Sequence, residues 1–415
     1  MRSPRVSTPS WSRTLPDDGD RNRDRAAVPA YRRQHGGILD AVDPPEPVAA
    51  PQEPVLPAYG GGCVADIVPS ILETGLQGPP GPLPPEILEA RAVVVLVLDG
   101  LGAEQLSARP NVAPTLNEMH ASTITTVAPS TTASALTSIA TGVGVGEHGI
   151  VGYRIPTRDG NLNVLRWRTP QGEAVDRHPP ERFQPVAAFG GQRPPALQRD
   201  EYRKSGFSRA YLGDARRVGY KMLSSLAVEA RRLVAAGESF VYAYYEGLDI
   251  VAHEHAFGEH YEAELRACDR LMADLLTVLP RGTAVVATSD HGLVDCSKGL
   301  VRIDRSVLDC ASAESGEARF RWLHARPGRA GDLYEAAAGA HSEHAWVLTA
   351  TELIDGGWLG PVVTDAARSR LGDVALVARG AWAFSHPDDG KPKIVGRHGS
   401  LTSAEMLVPL LVHAA

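Results

Sequence analysis

The sequence has few cysteines, and their spacing excludes two kinds of site. Among 415 residues there are four cysteines, Cys63, Cys268, Cys296 and Cys310, which lie far apart and form no CxxC pair. Neither a thiolate zinc site nor a disulfide framework is therefore indicated. We expect these residues to be reduced thiols with a structural role.

Long apolar runs are also missing. No run of about 18 or more apolar residues is present, so the sequence predicts no membrane-spanning helix. Arginines occur near residue 1, but no apolar stretch of about 7 to 15 residues follows them, as a secretory signal would require. We therefore expect a cytoplasmic protein.

Positive charge is not in excess. The 42 lysines and arginines are outnumbered by 49 aspartates and glutamates, which gives a net charge of −7. This balance gives no overall reason to expect binding to a nucleic-acid duplex or to an anionic membrane. The sequence contains nothing that specifies an oligomeric state.

Composition divides the chain into a leader and one folded domain. Residues 1–35 carry eight arginines and four aspartates with few large apolar side chains, and residues 43–57 include six prolines. Such a segment cannot bury enough apolar surface to offset its ordering entropy, so residues 1–53 are predicted to be a disordered leader. A basic tail that contacts an acidic partner is the alternative. Residues 54–415 are predicted to form the domain, with insertions at about 151–212 and 295–395.

Three apolar runs rich in β-forming residues end abruptly at acidic residues. Residues 93–98 precede Asp99, residues 240–245 precede the stretch that contains Asp249, and residues 283–288 lie just before Asp290. Near-continuous apolar runs are typical of strands buried on both faces of a parallel sheet. Helical patterns lie between them, which predicts an α/β sandwich with a mostly parallel central sheet and helices on both faces. We expect the acidic residues to meet at the carboxyl edge of that sheet.

These acidic residues belong to a larger set that could bind metal. The set contains three carboxylates and three imidazoles, which suit two zinc ions: Asp99, Asp249, His253, Asp290, His291 and His398. Asp249 and His253 are four residues apart and share a face if the segment is helical. Each residue alone could instead cap a helix or close a turn. The stretch His253-Glu254-His255 is not a metalloprotease motif, because its histidines are two residues apart rather than four.

A run of hydroxyl-bearing residues supplies a candidate nucleophile. The stretch from Ala128 to Gly142 is predicted to be an extended segment around Pro129, followed by about three turns of helix that end at the glycine. A hydroxyl at a helix N-terminus lies where backbone N–H groups and the helix dipole favour an anion. Thr131 and Thr132 both fit this position, and either could also cap the helix.

The motifs occur in the order expected for the type I phosphodiesterase/nucleotide pyrophosphatase family of the alkaline phosphatase superfamily. The resemblance covers about residues 92–411 and rests on Asp99-Gly100, on residues 129–142 and 147–152, on Asp249 with His253, and on residues 289–292 and 396–410. It implies an alkaline-phosphatase-like sandwich in which the insertions are cap segments over the site. It also implies two divalent metal ions, expected to be Zn²⁺. One would be held by Asp99, Thr132, Asp290 and His291, and the other by Asp249, His253 and His398.

The resemblance further implies an activity. The chain is expected to hydrolyse small-molecule phosphate esters or nucleotides, with phosphodiesters and nucleotide pyrophosphates preferred to monoesters, through a phospho-threonine intermediate. The family motif places its nucleophile three residues after the proline, which indicates Thr132, with Thr131 in reserve.

The sequence departs from the family pattern directly after the nucleophile. Family members with diesterase activity usually have Phe-Pro-Asn there, and the asparagine helps to hold a phosphate oxygen, whereas this sequence has Ala133-Ser134-Ala135. Ser134, Arg154 or Arg397 could supply the missing donor, and the sequence alone does not choose among them.

Other functions fit the same pattern less well. A phosphomonoesterase or a phosphonate hydrolase would use the same core. A cofactor-independent phosphomutase usually has a serine nucleophile and a large inserted domain, and a sulfatase needs a Cys/Ser-x-Pro-x-Arg signature that is missing at the nucleophile position. A catalytically silent binding protein would be expected to have lost ligands, and all seven ligand positions are filled.

Overall fold

The structure is a computed structural model that describes residues 53–72, 81–386 and 394–414. The predicted leader, residues 1–53, lies outside these ranges apart from Glu53. Within the described ranges, none of the helices combines the length and the apolar character that crossing a bilayer requires.

The strands of the described residues are short, with lengths from two to seven residues. In chain order they are β1 (Ala92–Leu98), β2 (His120–Thr125), β3 (Arg154–Thr157), β4 (Gly160–Asn163), β5 (Arg168–Thr169), β6 (Gly172–Glu173), β7 (Pro195–Arg199), β8 (Arg216–Tyr220), β9 (Phe240–Tyr245), β10 (Thr283–Thr288), β11 (Val294–Asp295), β12 (Leu300–Arg302), β13 (Ala311–Gly316), β14 (Phe320–Ala325), β15 (Ala345–Thr349), β16 (Val374–Ala378), β17 (Ala383–Ser385), β18 (Gly396–Arg397) and β19 (Leu407–His413).

Helices separate many of these strands. In chain order they are α1 (Ile67–Leu72), α2 (Pro85–Leu88), α3 (Ala103–Ser107), α4 (Pro114–Glu118), α5 (Thr132–Thr141), α6 (Val145–His148), α7 (Pro180–Phe183), α8 (Gly206–Leu212), α9 (Leu223–Ala235), α10 (Gly247–His255), α11 (Glu259–Val278), α12 (Arg305–Cys310), α13 (Ala330–His341), α14 (Ala350–Asp355), α15 (Asp365–Arg368) and α16 (Ser403–Met406). Short 3-10 helices cover Val64–Asp66, Ala188–Gly191 and Asp200–Tyr202.

Seven strands form the central sheet in the order β2-β19-β10-β1-β9-β7-β8. The five strands from β10 to β8 run parallel to one another, and β19 pairs antiparallel with both β10 and β2. Every residue of β1, β9 and β10 is buried, as their apolar sequences predict. The predicted α/β fold with a mostly parallel central sheet is confirmed.

Helices cover both faces of the sheet. Val93, Val95 and Val97 of β1 pack in one apolar core with α5, whereas Val94, Leu96 and Leu98 pack in a second core with α9 and α11. Alternate residues of one strand therefore contribute to opposite cores, because successive side chains of a strand point to opposite faces. The four cysteines are free and buried in the interior.

The segments that interrupt the strand and helix alternation form separate small sheets. Strands β3 to β6 make one antiparallel sheet, and β13, β14, β16 and β15 make another that has an apolar core of its own with α12 and α13. The first insertion is shorter than the predicted 151–212, because β7 belongs to the central sheet. Apolar residues such as Ala196 and Leu197 in β7 are fully buried, but the preceding proline-rich stretch hides this strand in the sequence.

Candidate metal centre

Three aspartates meet at the carboxyl edge of the central sheet. Asp99 directly follows β1, Asp290 follows β10, and Asp249 lies in the first turn of α10 after β9. These strands are parallel neighbours with β1 in the middle, so their ends lie side by side. Asp99, Asp249 and Asp290 are 2%, 9% and 0% exposed. The edge therefore gathers three carboxylates in a place that water hardly reaches.

Gly100 allows this close approach. Its φ is +77°, and a Cβ at this position would lie 2.8 Å from Leu293 Cδ1 and 3.0 Å from Asp249 Cα. A side chain would thus be strained by the backbone conformation and would also push α10 away from β1. Glycine at the end of β1 is what lets Asp249 reach Asp99.

Helix α10 presents Asp249 and His253 together. The two residues are one turn apart, and His253 Nε2 lies 3.2 Å from Asp249 Oδ2. The other ring nitrogen, Nδ1, donates to the carbonyl oxygen of Gly396 at 2.7 Å. A Cβ on Gly396 would lie 2.2 Å from the Ala252 carbonyl oxygen, so glycine is needed for β18 to pack against this helix.

His398 is carried to the same edge by the loop after β18. Ser130, two residues before Thr132, holds this loop by two hydrogen bonds. Its backbone amide donates to the Gly399 carbonyl at 3.1 Å, and its hydroxyl donates to the Ser400 carbonyl at 2.6 Å. The Ser130 carbonyl in turn accepts from His398 Nδ1 at 3.0 Å. The rings of His398 and His291 then stack with centroids 3.6 Å apart.

All three imidazoles are oriented in the same way. His291 Nδ1 donates to the Gly292 carbonyl at 3.1 Å, just as His253 and His398 donate to carbonyls through Nδ1. A carbonyl oxygen can only accept, so each Nδ1 carries the proton and Nε2 is the nitrogen available to bind a cation. This arrangement is the usual one for histidines that bind metal ions.

Asp99 and Asp290 each have one carboxylate oxygen that the protein holds and one without a hydrogen-bond partner. Asp290 Oδ1 accepts from the amides of Gly100 (3.2 Å) and His291 (3.1 Å), and Asp99 Oδ2 accepts from the Tyr244 hydroxyl. The buried oxygens Asp99 Oδ1, Asp249 Oδ1 and Asp290 Oδ2 have no hydrogen-bond partner among the described residues. Buried anionic oxygens of this kind are costly unless a cation binds them.

The distances between donor atoms fit tetrahedral metal coordination. His291 Nε2 lies 3.4 Å from Asp99 Oδ1, 3.4 Å from Asp290 Oδ2 and 3.1 Å from Thr132 Oγ1. His398 Nε2 lies 3.7 Å from Asp249 Oδ1. Atoms about 2.0–2.1 Å from a tetrahedral zinc lie roughly 3.3–3.4 Å from one another. The residues present therefore fit a bound divalent cation without rearrangement of the backbone.

Two overlapping groups of donors emerge. One contains Asp99, Asp290 and His291, the other contains Asp249, His291 and His398, and the donor atoms within each group lie within 4.8 Å of one another. His291 belongs to both groups, and His253 joins the second through its contact with Asp249. All seven residues chosen from the sequence thus converge at one edge. Their division between two particular ions stays a prediction.

The electrostatics of the cluster also favour cations. Burial, with Asp290 and Asp249 nearby, raises the pKa of Asp99 well above its usual value. Burial opposes the charged forms of Asp249 and His253 too, but their contact lowers the pKa of Asp249 and raises that of His253 to about 9. Burial and the adjacent His291 lower the pKa of His398, which keeps that ring neutral. A bound cation would relieve the repulsion and displace the His253 proton.

Thr132 is placed differently from Thr131. Thr132 is the first residue of α5 and its hydroxyl lies within the donor cluster, whereas Thr131 is the N-cap residue and its side chain does not cap the helix. The N–H groups of the first turn have no partner inside the helix, so they are available to an anion. Helix α5 ends, as predicted, at Gly142 with φ +76°.

A cavity of ≈ 520 Å³ opens in front of the cluster. Thr132, Asp249 and His398 lie on one side of it, and Arg154 and Arg397 also line it. Ser134 does not line the cavity, since it is fully buried and its hydroxyl donates to the Ile150 carbonyl at 2.6 Å. Of the three donors considered from the sequence, the two arginines therefore face the cavity.

Sequence reasoning missed two cavity residues, Glu317 and Arg321. Glu317 accepts from the Tyr153 amide at 3.2 Å, and burial raises its pKa to about 8, although the Thr131 hydroxyl and that amide act in the opposite direction. Arg321 is 8% exposed and pairs with Glu314. Glu317 follows β13 and Arg321 lies in β14 of the second insertion, where no local pattern marks a cavity residue.

The chain belongs to the type I phosphodiesterase/nucleotide pyrophosphatase family, whose model matches residues 93–401. Members of this family are metal-dependent phosphoester hydrolases. The predicted relationship to this family and to the alkaline phosphatase superfamily is confirmed. A comparison with curated protein sequences gives no match.

Solved structures share the fold. Murine ectonucleotide pyrophosphatase/phosphodiesterase 5, in an inactive threonine-to-alanine form in complex with AMP, superposes with a TM-score of 0.59 at 16% identity, covering 78% of this chain and 88% of that chain. Phosphonoacetate hydrolase from Sinorhizobium meliloti 1021 in complex with phosphonoformate superposes with a TM-score of 0.54 at 17% identity, covering 78% and 90% of the two chains. At these identities the similarity concerns the fold.

Proposed function

We propose that this protein is a two-metal phosphohydrolase that cleaves phosphodiesters or nucleotide pyrophosphates, with Thr132 as the nucleophile. The observation that carries the proposal is the arrangement around the Thr132 hydroxyl. The hydroxyl lies 3.1 Å from His291 Nε2, and in the same cluster the unpartnered carboxylate oxygens lie 3.4 to 3.7 Å from imidazole Nε2 atoms. Family membership provides the class of reaction.

The seven residues would hold two divalent cations, with Zn²⁺ as the expected ion. Asp99, Thr132, Asp290 and His291 would bind one, and Asp249, His253 and His398 the other. Bound at this edge, the two ions supply electrostatic stabilisation of the negative charge that develops on the attacking and leaving oxygens.

The chain itself positions the nucleophile and the phosphoryl group. Thr132 Oγ1 loses its proton to solvent and forms a bond to phosphorus, while the bond from phosphorus to the leaving oxygen breaks. The free N–H groups of the first turn of α5 point toward the developing charge on the phosphoryl oxygens. Water then attacks phosphorus, the bond to Thr132 breaks, and the free hydroxyl is restored.

The two neighbouring structures support a small phosphorus-containing substrate. One was solved with AMP as a threonine-to-alanine form described as inactive, and another contains phosphonoformate. A threonine whose loss inactivates a protein of the same fold is consistent with a nucleophilic Thr132.

A side-by-side assay tests the proposal. The zinc-loaded protein should bind two equivalents of zinc per chain, and it should turn over bis(4-nitrophenyl) phosphate and a dinucleotide pyrophosphate faster than 4-nitrophenyl phosphate. A protein that binds zinc but prefers the monoester would reassign it as a phosphomonoesterase. Binding of less than one equivalent would contradict the metal centre itself.

A further inference from the structure

The cavity is much larger than a phosphoryl group, and the part of its wall formed by three arginines carries positive charge. Arg154, Arg321 and Arg397 all line its ≈ 520 Å³. They come from β3, β14 and β18, three elements that are far apart in the chain.

Contacts between the two insertions hold this wall in place. Asn161 Nδ2 in the first insertion donates to the Glu314 carbonyl in the second at 2.7 Å. The Tyr153 amide donates to Glu317 at 3.2 Å, and Trp322 Nε1 donates to the Val151 carbonyl at 3.3 Å. Arg154 therefore starts from a backbone fixed on both sides. The backbone that carries Arg154 is therefore held in place without a bound substrate.

Among the described residues, no acidic side chain pairs with Arg154, whereas Arg321 is paired with Glu314. Asp249 and Glu317 are the acidic residues among the described residues that line the cavity. Asp249 is a candidate metal ligand, and the raised pKa of Glu317 favours its neutral form. Within residues 81–386 and 394–414, Arg154 makes no hydrogen bond or ion pair, although its side chain is exposed at the cavity.

Arg321 adds a buried donor to this wall. Its guanidinium pairs with Glu314 and donates to the Phe384 carbonyl at 3.0 Å, but its Nε is buried without a hydrogen-bond partner among the described residues. A buried cationic donor that lacks a partner is costly, and an anion in the cavity would reduce that cost.

We propose that Arg154, with Arg321 and Arg397 behind it, binds a second anionic group of the substrate, separate from the phosphoryl group that Thr132 attacks. This inference rests on the proposed function and narrows its substrate class. Phosphate and carboxylate groups both fit, because the planar guanidinium group pairs with two oxygens of either one. Arg154 is exposed whereas Thr132 is 5% exposed, so the second group would lie toward the mouth of the cavity.

Substrate pairs test the assignment. The value of kcat/KM is measured for bis(4-nitrophenyl) phosphate, which has no second anionic group, for a dinucleotide pyrophosphate, which has a second phosphate, and for phosphonoacetate, which has a carboxylate. In Arg154→Ala the ratio of kcat/KM for one anion-bearing substrate to that for the plain diester should fall at least about tenfold, as expected for loss of a charge-assisted pair. Arg154→Lys should restore part of it. A fall in the ratio for the dinucleotide pyrophosphate identifies the second group as phosphate, and a fall in the ratio for phosphonoacetate identifies it as carboxylate.

Arg158→Ala is the matched control. Arg158 lies just beyond the same strand, its side chain is 76% exposed, and it does not line the cavity. This variant should leave the ratio unchanged. An equal fall of all kcat/KM values in Arg154→Ala overturns the inference, because Arg154 would then hold the scissile phosphoryl group itself. A wild-type protein that cleaves only the plain diester overturns it as well.

A binding measurement separates this inference from the proposed function. Titration calorimetry of the zinc-loaded protein with pyrophosphate, phosphonoacetate and inorganic phosphate needs no turnover. Arg154→Ala should weaken pyrophosphate or phosphonoacetate at least about tenfold more than inorganic phosphate. Equal weakening of all three contradicts the second-anion site even if no substrate is hydrolysed, and inactivity alone contradicts only the proposed function.

Discussion

The edge of the central sheet and the cavity wall formed by the insertions hold their polar side chains in different ways. At the sheet edge, backbone amides, carbonyls and Tyr244 hold one atom of each polar side chain and leave the other aimed at a common point. Across the cavity, Arg154 and Arg321 are held by contacts between two small sheets and are exposed to different degrees. A buried parallel sheet is suited to holding reacting groups in fixed positions. Sequence changes in the inserted segments can alter substrate specificity without disturbing those reacting groups.

Replacing the proposed nucleophile should have the largest effect, and it tests the sheet edge alone. Thr132→Ala removes the attacking oxygen and should lower kcat at least about 1000-fold, while zinc content, measured by atomic emission, stays close to that of the wild type. Thr131→Ala is the control and should retain most activity. The opposite result would make Thr131 the nucleophile. If neither substitution matters, the phospho-threonine mechanism is wrong.

Removing the buried ion pair that links the second insertion to the core should reduce stability the most. Arg319 in the second insertion pairs with Glu405 in the core through two contacts of 2.7 Å, and both side chains are fully buried. Arg319→Ala leaves Glu405 buried without its cation and should lower the free energy of unfolding by about 3–5 kcal/mol. Urea denaturation measures this. Arg305→Ala removes an exposed pair with Asp309 and should cost about 0.5 kcal/mol or less.

Replacing Asp99 with a neutral residue should show how much the negative charges at the sheet edge destabilise the metal-free protein. The pKa of Asp99 is raised by burial and by Asp290 and Asp249, so the folded protein binds this proton more tightly than the unfolded chain. The ionised form is therefore destabilising, and the cost appears as pH rises above the usual aspartate value. Metal-free Asp99→Asn should be more stable than the metal-free wild type at neutral pH, by about 1 kcal/mol.

Zinc should reverse that order. The wild type gains stability that rises with the logarithm of its zinc affinity, and the variant lacks one of the proposed ligands. Thermal unfolding with and without a chelator measures both parts. The exposed Asp309→Asn is a control that should show neither effect. If metal-free Asp99→Asn is less stable than the wild type, the prediction is wrong. Asp99 then stabilises the metal-free fold by packing, and its repulsion with Asp249 and Asp290 is not the larger effect.

The smallest effect is expected at the apolar part of the wall. Leu300 lines the cavity and is 39% exposed, so Leu300→Ala removes contact area without opening an interior void. KM should rise about two- to threefold with kcat nearly unchanged, because the lost contact is made equally with substrate and transition state. Val362, 47% exposed and outside the cavity, is the control as Val362→Ala. A fall in kcat would mean that the wall also takes part in the chemistry.

The sheet edge was predictable from the sequence because its strands are buried on both faces. Such strands read as continuous apolar runs, and the acidic residue after each run marks the edge. Helical spacing likewise predicted that Asp249 and His253 share a face. His398 lies more than 100 residues beyond Asp290; its ligand chemistry put it in the candidate set, but no strand or helix pattern placed it at this edge, and its assignment to one metal ion came from the family resemblance.

The wall was not predictable, because its strands pack against each other rather than against the main core. Arg321 and Glu317 face the cavity only because the two insertions dock, and no local pattern records that contact. Ser134 was a candidate donor on chemistry alone, but a bond to Ile150 withdraws it from the cavity.

The position of β19 between β10 and β2 determines when β2 can pair with its neighbour during translation. Strand β2 ends at Thr125, and its partner begins at Leu407, about 280 residues later. At a synthesis rate of roughly 5–20 residues per second, β2 waits on the order of 15–55 s before its hydrogen bonds with β19 can form. An apolar strand left open that long would invite pairing with other nascent chains. The sequence of β2, His-Ala-Ser-Thr-Ile-Thr, has four polar residues in six, which makes the delay tolerable during translation.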